Sequence, residues 1–176
     1  HVYVADAYNN TIRKITSSAV VTTLAGLAGT SGSTDDIGSV ARSNSPYGVA
    51  VDASGTVYAT DTITHTLRTI NSAGTVSTLA GSVLGIGSAE GTGSAASFYY
   101  PLGLALDGSG NAYVADSNNH TIRKITSAGV VSTFAGTAGS NGTTDATGAA
   151  ARFDTPFGVA VDGSGTVYVA DTYNHT

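Results

Sequence analysis

Residues 101–134 read PLGLALDGSGNAYVADSNNHTIRKITSAGVVSTF, and this stretch divides into four short β-prone runs with tight turns between them. The runs are Gly103–Asp107 (GLALD), Ala112–Asp116 (AYVAD), Thr121–Ile125 (TIRKI) and Val130–Phe134 (VVSTF). Each is rich in Val, Ile, Leu, Tyr or Thr, and each separator (GSG, SNNH, TSAG) is a Gly, Ser or Asn turn signal. The spacing predicts a four-stranded antiparallel meander.

The same unit returns along the chain. Pro46, Pro101 and Pro156 lie 55 residues apart, as do Asp6, Asp61, Asp116 and Asp171, and residues 1–45 match 111–155 at 25 of 45 positions. A single four-stranded sheet cannot bury both of its faces, so a repeat of this period implies that units cover one another. The repeat divides the chain into a three-strand piece at 1–25, whole units at 46–80 and 101–135, and a two-strand piece at 156–176. Glycine-rich connections of about twenty residues join them. With no Met at any position and a first residue inside a strand-like run, the chain reads as a segment of a longer array.

The first run of each unit (GVAVD or GLALD) is apolar throughout, with small residues interspersed. Such a strand is covered on both faces, and small side chains suit the crowded centre of a radial assembly. An all-β fold follows: a β-propeller of four-stranded antiparallel blades, in preference to a solenoid of one or two strands per repeat. The connection ending Gly148-Ala149-Ala150-Ala151-Arg152-Phe153 is expected to form one helical turn that tucks its Phe against the neighbouring sheet.

Charge narrows the function classes. Asp, Glu, Lys and Arg make up 11% of residues, against about a quarter in ordinary soluble domains. Net charge is -5, and the seven Lys and Arg are scattered, which disfavours a surface that tracks nucleic-acid phosphates. Cysteine is absent, leaving neither a disulfide framework nor a thiol site. No run of 18 apolar residues offers a membrane-inserting helix.

At YVADSNNHTIRKI (113–125), YVADTYNH (168–175) and PFGVAVDGSGT (156–166) the chain resembles the NHL-repeat family. The resemblance extends over nearly the whole chain and implies a β-propeller, commonly of six blades. The glycine-rich connections ending in AARF and Pro resemble a variant found in secreted or cell-surface bacterial proteins. Members include platforms for proteins or RNA, and related propellers act as lyases or hydrolases with a metal in the central channel. Thr66, Thr121 and Thr176 stand where the family motif commonly has Arg after the His, which weakens any basic, RNA-binding face.

Meander geometry sorts the candidate residues. The Asp52, Asp107 and Asp162 turns fall on one face, as Asx turns with Gly55, Gly110 and Gly165. The loops carrying Asp6, Asp61, Asp116 and Asp171 and the three connections fall on the other, here termed face one. Candidate binding residues there are Asp6, Tyr8, Asp61, Phe98, Tyr99, Tyr100, Asp116, Asn118, His120, Phe153, Asp171 and Tyr173. The bland role for Asp116 with Asn118, Asn119 and His120 is to cap loop N–H groups, with the His packed on the next blade. An oxygen site for Ca²⁺ at the four Asp residues is the alternative. His65, His120 and His175 could approach a shared zinc only if loops on separate blades converged to bonds of about 2 Å. N-x-[ST] patterns mark Asn9, Asn119, Asn141 and Asn174 as possible glycosylation sites.

The expectation is a non-catalytic structural or binding module outside the cell or on its surface, with no cofactor, that meets a protein or glycan. The alternatives are a metal-assisted lyase or hydrolase and a self-assembling filament subunit. Copies of the chain pairing through open strand edges would supply the last of these.

Overall fold

Alternation within each run decides which side of its sheet a residue covers, and the computed structural model, which describes residues 1–176, shows the result as four antiparallel sheets. The first holds β1 (Val2–Asp6), β2 (Thr11–Ile15) and β3 (Val21–Ala25). The second holds β4 (Pro46–Val51), β5 (Val57–Asp61), β6 (Thr66–Ile70) and β7 (Val76–Ala80). A two-residue strand, β8 (Gly91–Thr92), lies on the outer edge of the third, beside β12 (Val130–Gly136). That sheet continues inward through β11 (Thr121–Ile125), β10 (Ala112–Asp116) and β9 (Pro101–Leu106). The last sheet pairs β13 (Pro156–Val161) with β14 (Val167–Asp171). The three prolines are the first residues of β4, β9 and β13. Each is the register partner of the repeat Asp, Pro46 with Asp61, Pro101 with Asp116 and Pro156 with Asp171. A first strand residue tolerates Pro because its missing N–H leaves no ladder bond unmade.

The sheets stack face to face as blades. From β10, Ala112 and Val114 point into a core shared with Tyr58 and Leu67 of the preceding blade, while Tyr113 and Ala115 face Val159, Val167 and Val169 of the following one. Val57 and Ala59 of β5 face Ile12 and Ala25 on the other side. The second strand of a middle blade therefore serves two cores, which is why all five of its residues are buried in both β5 and β10.

The innermost strands touch backbone to backbone. A Cβ on Gly48 would lie 2.3 Å from the Leu102 carbonyl oxygen, and one on Gly103 would lie 2.1 Å from that of Phe157. These glycines set the radius of the inner ring, the arrangement of a β-propeller.

The connections do not stay on face one. The first and second run down the outer edge of the next blade before returning to its inner strand. Gly38 N–H reaches the Gly74 carbonyl (2.9 Å), and Gly93 N–H reaches that of Gly129 (3.0 Å), both at turns of the opposite face. The sequence reading missed this because glycine-rich text has no period to mark edge pairing. The expected helical turn is present as a 3-10 turn at Gly148–Ala150, with a sister at Gly93–Ala95. Phe98 and Phe153 pack inward behind them.

Candidate binding face

Each blade closes through the Asp that ends its second strand. Asp116 Oδ1 accepts the Tyr99 N–H (2.7 Å), and its Oδ2 accepts from Asn119 Nδ2 (2.8 Å) and Arg123 Nη1 (2.9 Å). Asp61 repeats the pattern with the Asn44 N–H (2.8 Å) and Arg68 (3.0 Å), and Asp171 accepts the Asp154 N–H (2.7 Å). Burial pushes the carboxyls of Asp61 and Asp116 up to about 6, against the pull of those donors and of the arginines. Asp61, Asp116 and Asp171 are thus internal struts, and the expectation that they form part of an open binding surface is corrected. Asp6 lies half-buried between Asn9 and Arg13.

A second clasp joins successive blades. The Tyr100 N–H donates to His65 Nδ1 (3.2 Å), the Thr155 N–H to His120 Nδ1 (3.1 Å), and the Ser45 N–H to Asn10 Oδ1 (2.9 Å). All three acceptors sit in the left-handed region, at φ 60°, 58° and 57°. Burial lowers the pKa of His65, consistent with a neutral ring that can accept. No three His, Asp or Glu side chains gather as metal ligands: neither the histidines nor the four aspartates converge. Asp116 and His120 cap loop N–H groups, whereas the Asn119 amide donates to Gly87 and Asp116 instead of capping.

Exposure then separates the aromatic candidates. Phe98 is 0% exposed, packed in the core under the Arg123 guanidinium, so its proposed role as a surface anchor is corrected. Phe153 is likewise packed, though less completely. Tyr8 (99% exposed) and Tyr173 stand out on the loops, and Asn118 is open. Tyr99 and Tyr100 meet at 5.5 Å between ring centroids, with the His65 ring 5.9 Å and 5.2 Å from them. Beside this cluster Val83, Leu84 and Ile86 are exposed. Sequence reasoning passed over these three. Laying the second connection on its sisters at a spacing of 55 would have found them.

The sequons divide as well. Asn119 is buried, its amide donating to the Gly87 carbonyl and Asp116, and Asn174 donates to Gly142 and Asp171 in the same way. Burial leaves no room for a glycan on Asn119, so that assignment is corrected, and Asn174 is half-buried. Asn9 and Asn141 are exposed, with amides hydrogen-bonded to Asp6 and Asp154.

A family model described as NHL repeat matches residues 98–125 and 153–176. Human NHL repeat-containing protein 2 is 33% identical over 129 residues, 68% of this chain and 18% of that protein. An auxiliary nutrient binding protein from Bacteroides thetaiotaomicron superposes with a TM-score of 0.76 at 18% identity, covering 98% of this chain and 43% of its own. Virginiamycin B lyase from Staphylococcus aureus does so with a TM-score of 0.61 at 14% identity, covering 96% and 44%. The chain spans under a fifth of the human relative and under half of either solved structure, and these structural likenesses speak to fold alone.

Proposed function

Because the chain belongs to the NHL-repeat family and folds as a β-propeller segment, we propose that it is a non-catalytic binding module that offers the loops of face one to a protein or glycan outside the cell. One observation carries this reading. The side chains best able to do chemistry are engaged in holding the blades: Asp61 and Asp116 with buried arginines, His65 and His120 with backbone N–H groups. Among the side chains left exposed are Tyr8, Leu84, Ile86, Tyr100 and Tyr173, and exposed aromatic groups suit a contact surface. The extracellular placement rests on the charge-poor composition and on the exposed sequon at Asn141.

The test is retention of ligands from a glycan array and a panel of purified extracellular proteins by the immobilised chain. Binding is expected to fall with at least one of the two face-one variants Tyr8→Ala and Tyr100→Ala and to survive Ser54→Lys and Ser109→Lys on the opposite face. Binding that depends on the opposite face, or turnover of a panel member, would overturn the proposal.

A further inference from the structure

The three connections are copies of one another, so each serves as a control for the others. The first and third carry Ala28 and Ala138 where the second has Val83, Gly29 and Gly139 where it has Leu84, and Ser31 and Asn141 where it has Ile86. They carry Asn44 and Asp154 at the place of Tyr99, and Ser45 and Thr155 at the place of Tyr100. The backbone is the same in all three: the N–H groups of Gly29, Leu84 and Gly139 each bond to the equivalent loop carbonyl, of Asn9, Thr64 and Asn119. The fold therefore does not require large apolar groups at these five positions.

Nor does it benefit from them. Leu84 is 67% exposed, Ile86 60%, Val83 44% and Tyr100 37%. Leu84 adopts φ 59° where its sisters are glycines at φ 74°, a conformation that is unfavourable for a residue with a Cβ. The five residues form one surface. Leu84 is bonded to Thr64, next to the His65 ring that contacts both tyrosines, and Ile86 bridges to Phe98, next to Tyr99. Strain and exposure accepted in one repeat out of three mark a surface kept for something else.

We infer that this patch is a docking site for a protein segment whose large apolar side chains are interspersed with Lys or Arg. The inference rests on the binding-module reading above and names the site and the partner's chemistry. None of the five residues is charged, and three are aliphatic, which suits apolar side chains better than a hydroxyl-covered sugar ring. The buried pairs Arg68–Asp61 and Arg123–Asp116 cancel internally, so the net charge of -5 is carried by the rest of the surface. A second copy would bring the same negative charge, whereas a basic segment is complementary.

The experiment selects random peptides of about twelve residues on the whole chain and measures their affinity for it and for three variants. L84G/Y100S installs the residues that the sister repeats carry, and V83A/I86S is a second, independent change to the patch. Tyr8→Ala alters face one elsewhere, and melting curves establish that each variant folds. Selected peptides should combine aromatic or aliphatic residues with Lys or Arg. They should lose about tenfold or more in affinity for either patch variant and keep it for Tyr8→Ala. Peptides that ignore both patch variants but respond to Tyr8→Ala would overturn this site while leaving the face-one reading intact. Selection of no peptide sensitive to any face-one variant would overturn both. Self-association of the wild-type chain that L84G/Y100S abolishes would overturn the partner class in favour of a second copy.

Discussion

Arg123 places Nη1 2.9 Å from Oδ2 of Asp116, and neither side chain is open to solvent. The same guanidinium donates to the carbonyls of Ser97 and Ala89 (3.1 and 3.0 Å), so one residue ties the third strand of the blade to its second strand and to the connection. Removing one partner strands a charge in a core. Asp116→Ala is expected to cost about 3–5 kcal/mol in urea unfolding. Asp6→Ala, whose pair with Arg13 is half-exposed, should cost under about 1 kcal/mol. Equal losses at the two sites would contradict the burial argument.

The inner ring makes a steric prediction. Gly103→Ala would push a methyl to 2.1 Å from the Phe157 carbonyl oxygen, a rigid backbone atom, so the strands must part. A loss of about 1–3 kcal/mol or more is expected. Gly108→Ala, with no atom within 4 Å of the new Cβ, should stay within about 0.5 kcal/mol. Thermal unfolding of the two variants side by side measures the difference.

Leu84 gives the opposite sign. Its side chain is largely in water and its φ is 59°, so Leu84→Gly relieves left-handed strain at the expense of little burial. The extra freedom of glycine in the unfolded chain offsets part of this. A net gain of about 0.5–1 kcal/mol is expected. A large loss would mean that Leu84 supports the fold and would weaken the case for a docking patch.

Much of this architecture could be read from the text. The 55-residue period located the strands, and the small, apolar first run of each unit placed that strand at the centre. Exposure was harder to read. Phe98 and Tyr99 are adjacent and both aromatic, yet Phe98 is buried beneath Arg123 while Tyr99 reaches the surface. That outcome depends on how the connection turns, and its glycines give no periodicity to reveal it. Likewise Asn119 fits a sequon, yet its amide donates to the Gly87 carbonyl of the connection that precedes its blade. Sequons count residues and cannot see that neighbour.

Titration should show an unusual slope. Asp61 and Asp116 are held up to about 6, above the ordinary value of 3.8, so between these values the folded chain binds protons that the unfolded chain does not. Stability should rise as pH falls from 7 towards 4, by a gain on the order of 1–3 kcal/mol. Below that, the turn aspartates act in reverse. Asp162 is lowered to about 2 by the Ser164 hydroxyl and the Thr166 N–H, so its contribution is present above the ordinary value and fades as pH falls towards 2. Urea unfolding from pH 7 to pH 2 should therefore pass through a maximum in the acid range. A monotonic fall from pH 7 would show that the arginines outweigh burial at Asp61 and Asp116.

The clasp between blades can be tested by exchange within the repeat. His65 Nδ1 and Asn10 Oδ1 accept the same N–H, from Tyr100 and Ser45, with the same left-handed backbone. Asn tolerates that conformation better than most residues and keeps an acceptor at the required reach. His65→Asn should thus change stability by less than about 1 kcal/mol. His65→Leu, of comparable bulk, leaves the Tyr100 N–H without its partner and adds backbone strain, so a loss of about 1–3 kcal/mol is expected. Amide hydrogen exchange at Tyr100 separates the two effects: protection should persist in the Asn variant and collapse in the Leu variant. If both variants exchange alike, the imidazole is acting by packing against Tyr99 and Tyr100 and not as an acceptor.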